Sequence, residues 1–172
     1  MKLAIFLATT MLAGAAVAQD HQHKHAERPY AGLEKQPVKA LNDQQVADLR
    51  AGRGMGLALA AELNGYPGPL HVLELAAQLG LSAEQRNRVQ QLYASMKGEA
   101  QKAGEQLIEQ ETVLDRLFKD RTITAESLTT VTGQIGQSQA TLRNVHLKYH
   151  LTTAELLTPG QLQRYSELRG YR

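Results

Sequence analysis

From Ser82 onward, apolar residues recur at steps of three, four and seven. Val89, Leu92, Met96, Ala100, Ala103, Leu107, Leu114 and Leu117 form one stripe that runs on to Phe118. After Asp120-Arg121-Thr122 a second stripe takes Leu128, Val131, Ile135, Ser138, Leu142, Val145, Tyr149, Thr152 and Leu156. A repeat near 3.6 residues on one face marks an amphipathic α-helix. Two such helices joined by so short a turn fold back antiparallel. The expected fold class is therefore all-α: an elongated antiparallel helical hairpin with short flanking helices.

Length sharpens that expectation. A helix from Ala83 to Phe118 spans about 54 Å at 1.5 Å per residue, against a diameter of roughly 40 Å for a compact domain of this size. The stripe must then be covered by the short helices, a second subunit, or both. Gly98, Gly104, Gly133 and Gly136 fall inside the two helices, each costing up to about 1 kcal/mol relative to alanine. Close backbone approach or a bend near the middle of the hairpin would account for them.

Both ends of the hairpin are punctuated alike. Leu81-Ser82-Ala83-Glu84-Gln85 and Leu157-Thr158-Pro159-Gly160-Gln161 each read as a helix start. Ser82 or Thr158 serves as N-cap, and Gln85 or Gln161 at the third helical position closes a capping box. Pro159 takes the first helical position, where its missing N–H costs nothing, and Leu157 can staple onto Leu162. Leu41-Asn42-Asp43-Gln44-Gln45 is a looser copy opening a short helix to about Arg50. A capping box by itself says only that a helix begins.

The stretch between is less regular. Gly52-Arg53-Gly54-Met55-Gly56 has the glycines of a phosphate loop, but no strand precedes it and no Lys-Ser/Thr follows, so it reads as a hinge. Leu57-Ala58-Leu59-Ala60-Ala61-Glu62-Leu63 is apolar almost all round, which points to a buried helix or a docking surface. Asn64-Gly65 ends it, and Tyr66-Pro67-Gly68-Pro69 makes a rigid turn. Leu70 to Leu79 reads as another short helix stopped by Gly80.

Residues 1–18 carry one positive charge, Lys2, then an apolar run and Ala16-Val17-Ala18, the small-x-small pattern of a signal-peptidase site. The run is too short and alanine-rich for a membrane anchor, so export with cleavage after Ala18 is expected. An uncleaved N-terminal anchor is the alternative. Cleavage leaves 154 residues with 18 basic and 17 acidic side chains. So even a balance leaves no electrostatic footprint for nucleic acid. With no cysteine, an exported chain must rely on its aliphatic core or on assembly. Residues 19–37, polar, His-rich and interrupted by proline, read as a disordered arm ahead of a helical domain at 38–172.

Two such phrases around a helical hairpin, behind a secretory leader, resemble the LTxxQ family of periplasmic proteins, which includes Spy, CpxP and the zinc-resistance-associated proteins. The resemblance covers roughly residues 81–169 and is carried above all by His146-Leu147-Lys148-Tyr149-His150 and the run from Leu156 to Tyr165. It implies an all-helical fold, often a curved antiparallel dimer, and ATP-independent chaperone or envelope-stress roles in the periplasm. Some members bind or sense metals. Ser82 stands for the threonine of the first phrase and preserves the cap, while Gly160 stands for a more usual charged residue. The stretch Gly54 to Pro69 lies outside the pattern.

No catalytic constellation emerges, since no nucleophile elbow or nucleophile-base pairing is legible, and the chain is read as non-enzymatic with no required cofactor. The leading reading is a Spy/CpxP-like helper that shields apolar segments of unfolded or partly folded periplasmic proteins. Met55, Leu57, Leu59, Leu63, Leu147 and Leu151 are its candidate client or partner surface. The alternative is a heavy-metal sensor or resistance protein. His146 and His150, four apart on a helix, share a face and can hold Zn, Cu or Ni with a third ligand, and a symmetric hairpin brings Met96 near His146. A flanking polar role is the plainer reading of that pair, and His71 with Glu74 forms a weaker pair, structural or exposed. In the arm, cleavage after Ala18 exposes Gln19-Asp20-His21. There the amine, two backbone amides and an imidazole can wrap Cu(II) or Ni(II) in a square plane, with His23 and His25 nearby. A third class is a helix-bundle subunit that docks a dedicated partner, such as an envelope sensor, through Met55 to Leu63. None of these readings involves stable membrane insertion after cleavage.

Overall fold

The structure, a computed structural model, describes residues 30–171. The leader, the proposed cleavage after Ala18 and the arm histidines His21, His23 and His25 lie outside the described residues. Contacts divide the chain between Ala31 and Gly32, and the helical body is Gly32–Arg172. Apart from a 3₁₀ turn at Leu33–Lys35, its elements are α1 (Asp43–Ala51), α2 (Leu59–Glu62), α3 (Pro69–Glu74), α4 (Ala83–Lys119), α5 (Ala125–Glu155) and α6 (Pro159–Arg169). Among the described residues there is no strand, and the fold is all-α. None of these helices is long and apolar enough to cross a membrane.

The two stripes meet. Met96, Ala100, Ala103, Leu107 and Ile108 of α4 pack with Val131, Ile135, Leu142, Val145 and Tyr149 of α5, and Leu49 of α1 and Val38 join them. Leu92, Leu114 and Leu117 are partly buried against the same core. At the end of α5 the buried face departs from the expected register: Thr153 is fully buried and Thr152 is exposed. The hydroxyl of Thr153 donates to the Tyr149 carbonyl at 2.6 Å, so the buried polar group is satisfied inside its own helix.

Asp120 closes α4, Arg121 takes a left-handed φ of 54°, and Thr124 caps α5 with Ser127 in a capping box. The helical glycines fare unequally. A Cβ on Gly104 would lie 2.7 Å from the Leu49 carbonyl oxygen, so this glycine lets α1 seat on α4. Gly98, Gly133 and Gly136 have no such neighbour, and the close approach expected at the middle of the hairpin is made by α1, not by α5.

A second core surrounds the two punctuating phrases. Val72, Leu79, Val89, Leu157 and Tyr165 are buried together, with Leu81, Leu156, Leu162 and Leu168 packed against them. It holds α3 in place, a helix of six residues that ends earlier than the sequence led one to expect. Helices this short do not persist alone in water. Val72, Pro67 and Pro69 are all but inaccessible to solvent, and each fully buried aliphatic side chain contributes about 1.5–3 kcal/mol.

The segment from Leu57 to Leu63 corrects one of its two expected forms, the buried helix. It forms only one helical turn, α2, and that turn is inverted relative to its composition. Glu62, its one charged residue, is buried, whereas Leu59 and Leu63 are 54% and 57% exposed. Ala58 and Ala61 face inward, and Leu57 packs against the main core.

Candidate functional site

The inverted turn follows from what stands beneath it. The Glu62 carboxylate accepts hydrogen bonds from the buried Tyr165 hydroxyl, from Tyr171 at 3.2 Å and from the Gly68 amide at 3.2 Å. Arg169 lies 3.6 Å away and His150 Nδ1 3.7 Å away. A carboxylate out of water needs that many partners. Burial and the adjoining carboxylate push the Tyr165 phenol far above its usual range, so it stays a donor.

Beside this cluster α5 presents His146 and His150 one turn apart, both buried. The Tyr66-Pro67-Gly68-Pro69 turn lies over His150. Its Nδ1 sits 2.7 Å from the Tyr66 carbonyl oxygen, and because a carbonyl only accepts, Nδ1 carries a proton and the tautomer this bond selects has Nε2 as its bare nitrogen. A Cβ on Gly68 would lie 2.8 Å from that Nε2, and a Cβ on Gly54 would lie 3.6 Å from His146 Nδ1. Position 68 therefore admits only glycine against the His150 ring, whereas a side chain at position 54 would make an ordinary contact with His146. His146 Nε2 is buried with no hydrogen-bond partner. Burial, together with neighbouring His150, lowers the His146 pKa and favours the neutral ring.

Glu62, His146, His150, Gly54 and Gly68 line one cavity of about 400 Å³ between the hairpin and the segment 51–71, with Met96 and Tyr93 of α4 and Arg169 and Tyr171 at the C-terminal end. Met96 and His146 both line it. The Gly52–Gly56 loop forms part of the wall. Gly52 ends α1 with φ 66°, and Met55 holds a left-handed φ of 44°, a conformation that costs a non-glycine residue on the order of 1 kcal/mol. Among the described residues no three His, Cys, Asp or Glu side chains converge as a metal site. Glu62 stands near His150 without completing such a set among these residues, and His71 bonds Glu74 at 3.0 Å.

The expected surface residues divide. Met55 and Leu59 line the mouth of the cavity, Leu63 and Leu151 are exposed, Leu57 and Leu147 are half-buried. The capping residues are all in place. Ser82 accepts from the Gln85 amide and Thr158 from the Gln161 amide, each box closing reciprocally, while Leu81 and Leu157 pack into the second core.

The two boxes are also joined to each other, which the spacing did not reveal. Gln85 Nε2 donates to Gln161 Oε1 at 2.8 Å, and Gln161 Nε2 donates back to Gln85 Oε1 at 3.1 Å. Gln85 also donates to the Leu156 carbonyl and Gln161 to the Leu79 carbonyl. Glu62, Gly54, Gly68 and Tyr66 were likewise missed as site residues. The one available signal was a charged residue in an otherwise apolar segment followed by a doubly proline-braced turn. Compared with family models, with curated proteins and with solved structures, this chain finds no match.

Proposed function

We propose that this chain is a periplasmic, Spy/CpxP-like, ATP-independent chaperone that shields apolar segments of unfolded proteins. One observation carries the reading: Met55, Leu59, Leu63, Tyr66 and Leu70, all from a single stretch of chain, are exposed large apolar side chains, and three of them line the mouth of the cavity. Exposed apolar groups gathered in this way mark interaction surfaces. Thioether and leucine side chains re-pack readily around varied partners. The secretory leader and the paired capping phrases favour the same family. A homodimer or a docked envelope sensor would use the same surface.

The test is client aggregation. The mature protein is expected to suppress light scattering by a denatured client, and Leu59→Ser/Leu63→Ser to lose most of that protection while keeping its melting temperature, because both side chains already face water. Absence of protection by the parent protein overturns the reading.

A second reading, a heavy-metal-binding sensor or resistance protein, is favoured by one specific observation, the buried His146–His150 pair with an unpartnered ring nitrogen. It predicts that zinc, nickel or copper raises the melting temperature. At 100-fold excess over Kd the gain is about 2.7 kcal/mol. His146→Ala/His150→Ala abolishes that rise.

A further inference from the structure

Every histidine and every methionine among the described residues lines the same cavity: His71, His146, His150, Met55 and Met96. The other methionines, Met1 and Met11, belong to the leader, and the chain has no cysteine. Thioether sulfur is therefore the only soft donor of the mature protein, and all of it is in one place.

We propose that this cavity is a cuprous-ion site in which His146 and His150 supply imidazole nitrogens and Met96 and Met55 supply thioether sulfurs. The proposal rests on the metal-binding reading of the histidine pair and specifies its ligands and its metal.

His150 has the arrangement that ligating histidines adopt. One ring nitrogen donates to a backbone carbonyl, here Tyr66 at 2.7 Å, which fixes the tautomer and presents the other nitrogen bare. A Cβ on Gly68 would lie 2.8 Å from that nitrogen and 2.9 Å from Cε1, against the face of the ring, so glycine is what lets the turn hold the imidazole this closely. His146 brings a buried Nε2 without a partner, a vacancy that buried polar groups rarely tolerate.

Glu62 and His71 also line the cavity, but among the described residues no three His, Cys, Asp or Glu side chains converge, so the nitrogen, oxygen and thiolate set that zinc requires is incomplete there. Thioether sulfur fills the set and selects Cu(I). Met96 is buried on α4 against the same wall. Met55 is held at its rim in a left-handed backbone conformation, the kind of strain that concentrates where function requires a side chain in a fixed place.

The experiment uses the whole mature chain with His21, His23 and His25 changed to alanine, so that the arm contributes no ligand. Cuprous ion is titrated anaerobically against a chromophoric cuprous chelator. One tightly held ion per chain is expected, with sulfur scattering at the copper edge in X-ray absorption. Met55→Leu/Met96→Leu, a nearly volume-conserving change, is expected to weaken cuprous binding at least about tenfold and to remove the sulfur signal. Zinc affinity should not change. Met55→Leu alone, on an exposed loop, is expected to weaken binding severalfold without altering the melting curve.

His146→Ala/His150→Ala is expected to lose cuprous binding altogether. If the methionine variants hold copper as tightly as the parent, the thioether site is overturned and the histidine reading survives. If the parent binds no better than the histidine variant, both are overturned.

Discussion

Glu62→Ala is expected to cost about 3–5 kcal/mol of folding stability, a fall in melting temperature on the order of 10 °C for a body of this size. The alanine removes the one acceptor that faces the Tyr165 hydroxyl, the Tyr171 hydroxyl and the Gly68 amide. It also leaves Arg169 and His150 without the carboxylate beside them. Donors stranded away from water carry their full desolvation cost, about 1–3 kcal/mol each where burial is complete. Tyr165 is only 1% exposed, so its hydroxyl bears the largest share.

Glu62→Gln keeps an oxygen for Tyr165 but gives up the charge and turns an N–H pair toward other donors. A loss of about 1–2 kcal/mol is expected there. Thermal and denaturant unfolding followed by circular dichroism measures both. An alanine variant within 1 kcal/mol of the parent would show that α2 is not fastened to the C-terminal helix through this carboxylate.

That fastening marks where sequence reasoning stops. The long helices were legible because thirty-odd residues repeat one period, and the period states which face is buried. The caps were legible because their hydrogen bonds close within four residues. A single turn such as Leu59–Glu62 has no period to read. Composition then puts leucine inside and glutamate outside, and the opposite holds because the partners of Glu62 stand about a hundred residues on, at Tyr165 and Tyr171.

The site divides in the same way. His146 and His150 share a face by helical spacing alone, and antiparallel folding brings Met96 to them. That Gly54 and Gly68 line the cavity and the Tyr66 carbonyl holds His150 depends on how an irregular loop drapes over α5, which no local rule specifies. The register slip to Thr153 is smaller but of the same origin: helix C-termini near a second core answer to that core, here the one around Val72 and Tyr165.

The join between the two capping phrases yields a sharper prediction, because it separates two roles that one glutamine plays. As the third residue of a capping box, Gln85 needs only an acceptor oxygen for the Ser82 amide, 3.1 Å away, and glutamate supplies that equally well. As the bridge between phrases it must also donate, to Gln161 Oε1 and to the Leu156 carbonyl, and a carboxylate cannot. Gln85→Glu would set a charged oxygen against two acceptors in a half-buried place. It is expected to cost about 2 kcal/mol or more, or roughly 4–8 °C in melting temperature, at least as much as Gln85→Ala. Were capping the whole of its role, Gln85→Glu would melt with the parent. Gln161→Glu is expected to behave alike, having the Thr158 amide to cap and the Leu79 carbonyl to satisfy. In a double-mutant cycle of the two alanine variants, a coupling energy of about 1 kcal/mol or more is expected. Independent caps, each serving its own helix, would give none. The bridge gives the capping glutamine of both phrases a second use: each one's oxygen and amide meet their complements on the other.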